Sequence, residues 1–158
     1  MQKLTKTKTN SKNKLSKHFV KNEQKPYLLD NGSRKKILLD TNFLLTMIRY
    51  KIHGFEEMKN KYPCDFFTLS RVLFELERLS KSDKKIKNET ILVKKILQNN
   101  SVRVIDSTKE DVDAELVEKS KEGFIIATND KLLRQKVKDA GGKTIYVRSL
   151  SYIEMDEN

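Results

Sequence analysis

The run Lys35-Lys36-Ile37-Leu38-Leu39-Asp40-Thr41-Asn42-Phe43-Leu44-Leu45 decides how this chain folds. Ile37, Leu38 and Leu39 form an unbroken apolar triplet, the pattern of a strand buried on both faces of a parallel sheet. Asp40 ends it. Phe43, Leu44, Leu45, Met47 and Ile48 then recur as a helix, with Asn42 predicted as its N-cap. A strand that enters a helix through an aspartate presents that carboxylate at the carboxyl edge of the sheet, where open α/β sheets bind their ligands.

Elements alternate from there onward. Phe55, Met58 and Tyr62 predict a short helix ended by Pro63, and residues 65–68 a strand. Ser70 is the expected cap of a helix in which Val72, Leu73, Leu76 and Leu79 recur at helical spacing. An amphipathic helix follows over 89–100, with Ile91, Leu92, Ile96 and Leu97. Residues 102–105 are then read as a strand, 108–122 as a helix, 124–127 as a buried strand, 130–140 as a helix and 144–147 as a final strand. Strands alternating with helices predict an α/β fold with a parallel sheet and right-handed crossovers.

A chain of 158 residues suits one domain. Its 33 Lys and Arg outnumber 22 Asp and Glu, but unevenly. Residues 1–36 hold eleven basic and two acidic side chains, a balance of +9; the other 122 residues hold 22 and 20, a balance of +2. Residues 1–34 are therefore expected to form a basic, disordered N-terminal arm, and 35–158 the folded domain. Such an arm suits a polyanion, nucleic acid above all. Cys64 is the only cysteine, which excludes an intramolecular disulfide and a cysteine-based zinc site. No run approaches the ~18 apolar residues of a membrane span, and the N-terminus lacks the apolar centre of a signal peptide. A cytoplasmic protein is expected, nucleolar in a eukaryotic cell, with no membrane partner.

Helical geometry tests the remaining acids. With successive residues ~100° apart, Val112, Leu116, Val117 and Ser120 share an arc of ~140° that includes Asp113, whereas Asp111, Glu115 and Glu118 fall on the far side. A carboxylate facing the core requires a partner or a cation. Glu75 and Glu77 border opposite sides of their helix's apolar face, and spacing does not choose between them. Ala127-Thr128-Asn129-Asp130 repeats the strand-to-helix turn of residues 39–42, so Asp130 is expected on the same sheet edge as Asp40. Carboxylates gathered within ~4 Å repel by ~4 kcal/mol per pair at an effective dielectric near ~20. A hard cation, Mg²⁺ or Mn²⁺, is the natural remedy. Oxygen ligands without a dedicated nucleophile point to metal-activated water attacking a phosphodiester. Thr41, Asn42 and Thr128 take supporting places, the threonines orienting a water or a carboxylate. Gly141-Gly142-Lys143-Thr144 imitates the end of a P-loop, but Val137 stands where that motif needs glycine and the segment leads from helix to strand, the reverse order. It is read as a helix C-cap and turn.

Taken together, Asp40-Thr41-Asn42, the run from Arg71 through Glu75-Leu76-Glu77-Arg78 to Leu79, Val112-Asp113, Ala127-Thr128-Asn129-Asp130 through Arg134, and Gly142 through Arg148 resemble a PIN-domain ribonuclease over roughly residues 35–155. The Glu-Leu-Glu-Arg-Leu helix and the Ala-Thr-Asn-Asp turn are most similar to the archaeal and eukaryotic branch that cuts ribosomal RNA precursors. The resemblance implies a three-layer α/β/α fold with a twisted parallel sheet of four to five strands. It implies a divalent-metal endoribonuclease, with ribosomal RNA precursor and ribosome assembly factors as partners. It also assigns Asp40, Glu75, Asp113 and Asp130 as catalytic metal ligands, choosing Glu75 over Glu77. Where that branch often has an Asp-Asp pair, this chain has Asp113-Ala114. On the helix from 130, Lys131, Arg134 and Lys138 lie opposite Leu132, Leu133 and Val137; with Lys35 and Lys36 they are candidate contacts to an RNA backbone. Phe74 points away from its helix's apolar stripe and is a candidate homodimer contact. Two alternatives are a toxin ribonuclease of a toxin–antitoxin pair and a non-catalytic RNA-binding assembly factor.

Overall fold

The computed structural model describes residues 34–156, so the expectations for the basic arm fall outside the described residues. β1 (Lys35–Leu39) is the apolar triplet preceded by two lysines, and Ile37, Leu38 and Leu39 are fully buried. It pairs in parallel with β2 (Cys64–Leu69) on one side and β4 (Phe124–Ala127) on the other. A strand covered on both faces and both edges has no place for alternating polar residues. β3 (Arg103–Ile105) lies parallel beyond β2, and β5 (Thr144–Arg148) parallel beyond β4. β6 (Tyr152–Asp156) runs antiparallel to β5, which completes the order β3-β2-β1-β4-β5-β6. The chain winds outward from β1 to β3, then returns to build the other half from β4. The order therefore reverses between β1 and β4, where doubly wound sheets open a crevice.

α1 (Thr41–Arg49), α3 (Ser70–Ser80) and α4 (Lys84–Asn99) pack on one another, as do α5 (Val112–Lys121) and α6 (Lys131–Asp139). With the sheet between them they form the expected three-layer α/β/α fold. α2 (Gly54–Lys61) packs on β6, where the Glu57 carboxylate accepts the Ile153 amide at 2.9 Å. No helix among the described residues is long and apolar enough to cross a membrane.

The sheet has six strands where four to five were expected. β6 escaped the sequence reading because its hairpin turn places Ser149 and Leu150 at φ 52° and 49°, a left-handed conformation that Asn and Gly normally signal. α4 begins at Lys84, not at 89, capped by Asp83 through the Lys85 amide. Its inner face also differs: Ile91 and Leu92 are exposed, while Glu89, Thr90, Val93 and Leu97 are buried. Glu89 is tolerated inside because Arg49 grips both its oxygens at 2.9–3.2 Å. α5 begins at Val112, not at 108. The amides of Thr108 and Lys109 and the Thr108 hydroxyl instead donate to Glu115. Glu115 is consequently buried, not on the far side, its desolvation offset by those donors. Leu132 is exposed, and Leu133 and Val137 carry the packing of α6. Asp40, not Asn42, caps α1. Leu69 precedes α3 without a side-chain cap; the Ser70 hydroxyl accepts the Ser107 amide instead. α6 ends as read: Gly141, at φ 79°, and Gly142 return their amides to Lys138 and Val137.

Candidate active site

Adjacent parallel strands deliver their ends to one place. The Asp40 amide donates to the Ala127 carbonyl at 3.0 Å, and the Thr128 amide to that of Ile145 at 2.9 Å, so both turns leave the sheet at fixed register. Asp40 is buried. Its Oδ1 accepts the Thr41 amide and its Oδ2 the Thr128 hydroxyl, each at 2.8 Å. The Thr41 hydroxyl donates to Glu75 Oε2 at 2.6 Å, tying α1 to α3. Thr128 Oγ1 also accepts the Asp130 amide, and Asn42 Oδ1 accepts the Asn129 amide at 3.0 Å. Asp130 caps α6: its Oδ1 accepts the amides of Leu132 and Leu133. Asp113 is half-buried in the first turn of α5.

Asp40, Glu75, Asp113 and Asp130 come from four separate places in the chain and line one cleft of about 580 Å³. Glu110 and Asp111 bring the lining carboxylates to six, against Arg71 and Arg78. Burial is the first cause that pushes the Asp40 carboxyl from 3.8 up to about 6; the charges of Asp113 and Glu75 add to it, and the bonds from Thr128 and Thr41 oppose it. Asp113 is also raised, first by burial and then by Asp130, with Lys136 opposing. The acids thus repel one another across the cleft.

Among the described residues, no three His, Cys, Asp or Glu side chains stand close enough together to hold a metal ion as they are. The donor set nevertheless suits a hard cation. Each of the four candidates is a carboxylate, two of them resist ionisation without a counter-charge, and half-exposed Asp113 has room to rotate toward an ion shared with the others.

The other sequence candidates divide. Glu77 pairs with Lys94 outside the cleft. Lys35 and Lys36 do not join the site: they stand at the amino end of β1, ~13 Å or more along the strand from Asp40. There Lys35 lies over the Tyr62 ring, and Lys36 over that of Phe124 while donating to the Glu122 carbonyl. Lys138 pairs with Asp156 at 2.8 Å, and Lys131 and Arg134 line a neighbouring cleft. Phe74 is exposed at the acidic cleft, with the Arg71 guanidinium 5.9 Å from its ring. Sequence reasoning missed Arg71, Arg78, Glu110 and Asp111 as lining residues. Asp111 had a usable signal, an aspartate just before an apolar helical run, and it caps α5 through the Ala114 amide.

Residues 37–150 match the profile of the PIN-like domain family. This chain belongs to that family. The PIN domain is 32% identical over 125 residues to Ribonuclease VapC4 of Methanocaldococcus jannaschii, covering 76% of this chain and 95% of that protein. The fold also matches that of the PIN domain endonuclease Utp24, with a TM-score of 0.62 and 21% identity, over 75% of this chain and 90% of that one.

Proposed function

We propose that this PIN domain is an endoribonuclease that hydrolyses RNA phosphodiesters with Mg²⁺ or Mn²⁺ held by Asp40, Glu75, Asp113 and Asp130. One observation carries the reading: four carboxylates brought from separate elements to the switch point of the sheet, with Asp40 held near 6 by burial and by its neighbours' charge. The ribonuclease relative supports RNA as substrate. When bound, a cation of this class supplies Lewis acidity and lowers the pKa of water. The chain's own residues supply position. Thr128 and the Thr41 amide fix both oxygens of Asp40, and the Thr41 hydroxyl fixes Glu75. Asp130 gives Oδ1 to the start of α6, and its Oδ2 makes no hydrogen bond among the described residues.

Within that reading, ribosomal RNA precursor is the substrate we favour, because +9 over residues 1–36 suits tight, salt-sensitive binding to structured RNA without sequence choice. The test is cleavage of an end-labelled RNA with Mg²⁺, with Mn²⁺ and with a chelator. Internal cuts that need the metal are expected; cleavage indifferent to chelation overturns the reading. Crosslinking in cells then tests the substrate, with ribosomal RNA precursor expected among the bound RNAs.

A further inference from the structure

Beside the acidic cleft, across α1, lies a second cleft of about 440 Å³ with the opposite character. Among the described residues, four cations line it, Arg49, Lys131, Arg134 and Arg148, and no carboxylate does. Two of the four are committed elsewhere: Arg49 grips Glu89, and Arg148 reaches Glu154 at 2.6 Å. The other two are not. Lys131 is exposed, and among the described residues neither it nor Arg134 has a carboxylate partner. Arg134 is held in place by the Tyr146 ring, 3.9 Å from its guanidinium carbon, yet its Nε is buried without a hydrogen-bond partner among the described residues. A fixed guanidinium with an unspent buried donor is costly unless an acceptor comes to it. Tyr50, half-exposed at the end of α1, adds an open aromatic face to the same cleft.

The two clefts are joined by one turn. Asn129 lines the basic cleft, and its neighbours Thr128 and Asp130 belong to the acidic site. Cations without counter-charges beside an exposed aromatic ring are the features by which proteins hold an unpaired strand, through its phosphates and its stacked bases. An acidic cleft repels a polyanion, so a strand needs a cationic hold next to it.

Resting on the ribonuclease reading above, we infer that the basic cleft binds single-stranded RNA beside the cut, with Lys131 and Arg134 holding a backbone phosphate and Tyr50 stacking a base. The test uses the full chain carrying Asp40→Asn, so that the RNA survives, and a fluorescent single-stranded RNA of about twelve nucleotides. Lys131→Gln weakens binding and makes the salt dependence shallower by about 0.7 in log–log slope, one phosphate contact of a single strand. Tyr50→Ala weakens it about tenfold and Tyr50→Phe restores it, because stacking needs the ring and not the hydroxyl. Lys87→Gln, the same charge change on an exposed residue of α4, leaves affinity and slope unchanged. If Lys131→Gln behaves like Lys87→Gln, or Tyr50→Ala binds as well as its parent, the inference is overturned. An inorganic phosphate titration that competes with the RNA equally in the parent and Lys131→Gln forms overturns it too. Failure of the unsubstituted chain to cut RNA would instead overturn the ribonuclease reading, which keeps the two outcomes apart.

Discussion

Two clefts flank α1, and they are built in opposite ways. The acidic one takes Thr41, Asn42 and Leu45 from the helix, and its key side chain, Asp40, is buried and pinned by hydrogen bonds on both oxygens. The basic one takes Thr46, Arg49 and Tyr50 from the later turns and is lined by long side chains from α6 and the β5–β6 hairpin. In the acidic cleft the most firmly held charge, Asp40, sits at a strand end, where the ladder leaves no freedom. The cations of the basic cleft sit instead on two helices and at the β5–β6 hairpin. By that division, substitutions on the acidic side are expected to alter chemistry and pH-dependent stability, and those on the basic side affinity and salt dependence.

The sharpest way to break the comparison is Asp40→Asn. Cleavage is expected to fall by more than about a hundredfold, since even outer partners of metal ligands are worth 10–100-fold, while RNA affinity is kept. A gel assay of product and an anisotropy titration measure the two separately. The same variant reports on stability. The folded Asp40 carboxyl holds its proton up to about 6, against 3.8 ordinarily, so the folded state gains most when this group is protonated. Without divalent metal, the contribution of Asp40 to wild-type stability is therefore fully present below about pH 4 and is lost as pH rises through about 6, by up to ~3 kcal/mol. Asp40→Asn lacks that decline, and urea melts across the window compare them.

Glu115 separates a structural acid from those of the site. Glu115→Ala leaves two amides and a hydroxyl without their acceptor, and a loss of about 2 kcal/mol is expected in urea melts. The pH-dependent decline assigned to Asp40 should persist in it. The smallest effect is expected from Thr128→Val, which removes the donor to Asp40 Oδ2: a loss of about tenfold in cleavage rate, recovered in Thr128→Ser. Equal rates in the Val and Ser forms would remove Thr128 from its positioning role.

Much of the acidic cleft was legible because strand-to-helix turns write their chemistry locally. Asp40 and Asp130 each follow an apolar run, and each caps the helix after it. Helix faces were harder. The arc that admitted Asp113 assigned Glu115 to solvent, because periodicity ranks residues by polarity and cannot see that neighbouring amides will satisfy a buried carboxylate. The same blindness hid Glu89 beneath Arg49. Lys35 and Lys36 were grouped with the cations of α6 by charge alone, but the direction of β1 sets them at the opposite edge of the sheet from Asp40.

By itself the sequence determined the α/β alternation, the buried central strand and the positions of two aspartates at strand ends, since these depend on side-chain period and on residues next to one another in the chain. The tertiary structure alone decided the sixth strand, which acids share a cleft with Asp40 and which cations line the second cleft, because each depends on groups far apart in sequence. Only the order of the strands makes those groups neighbours.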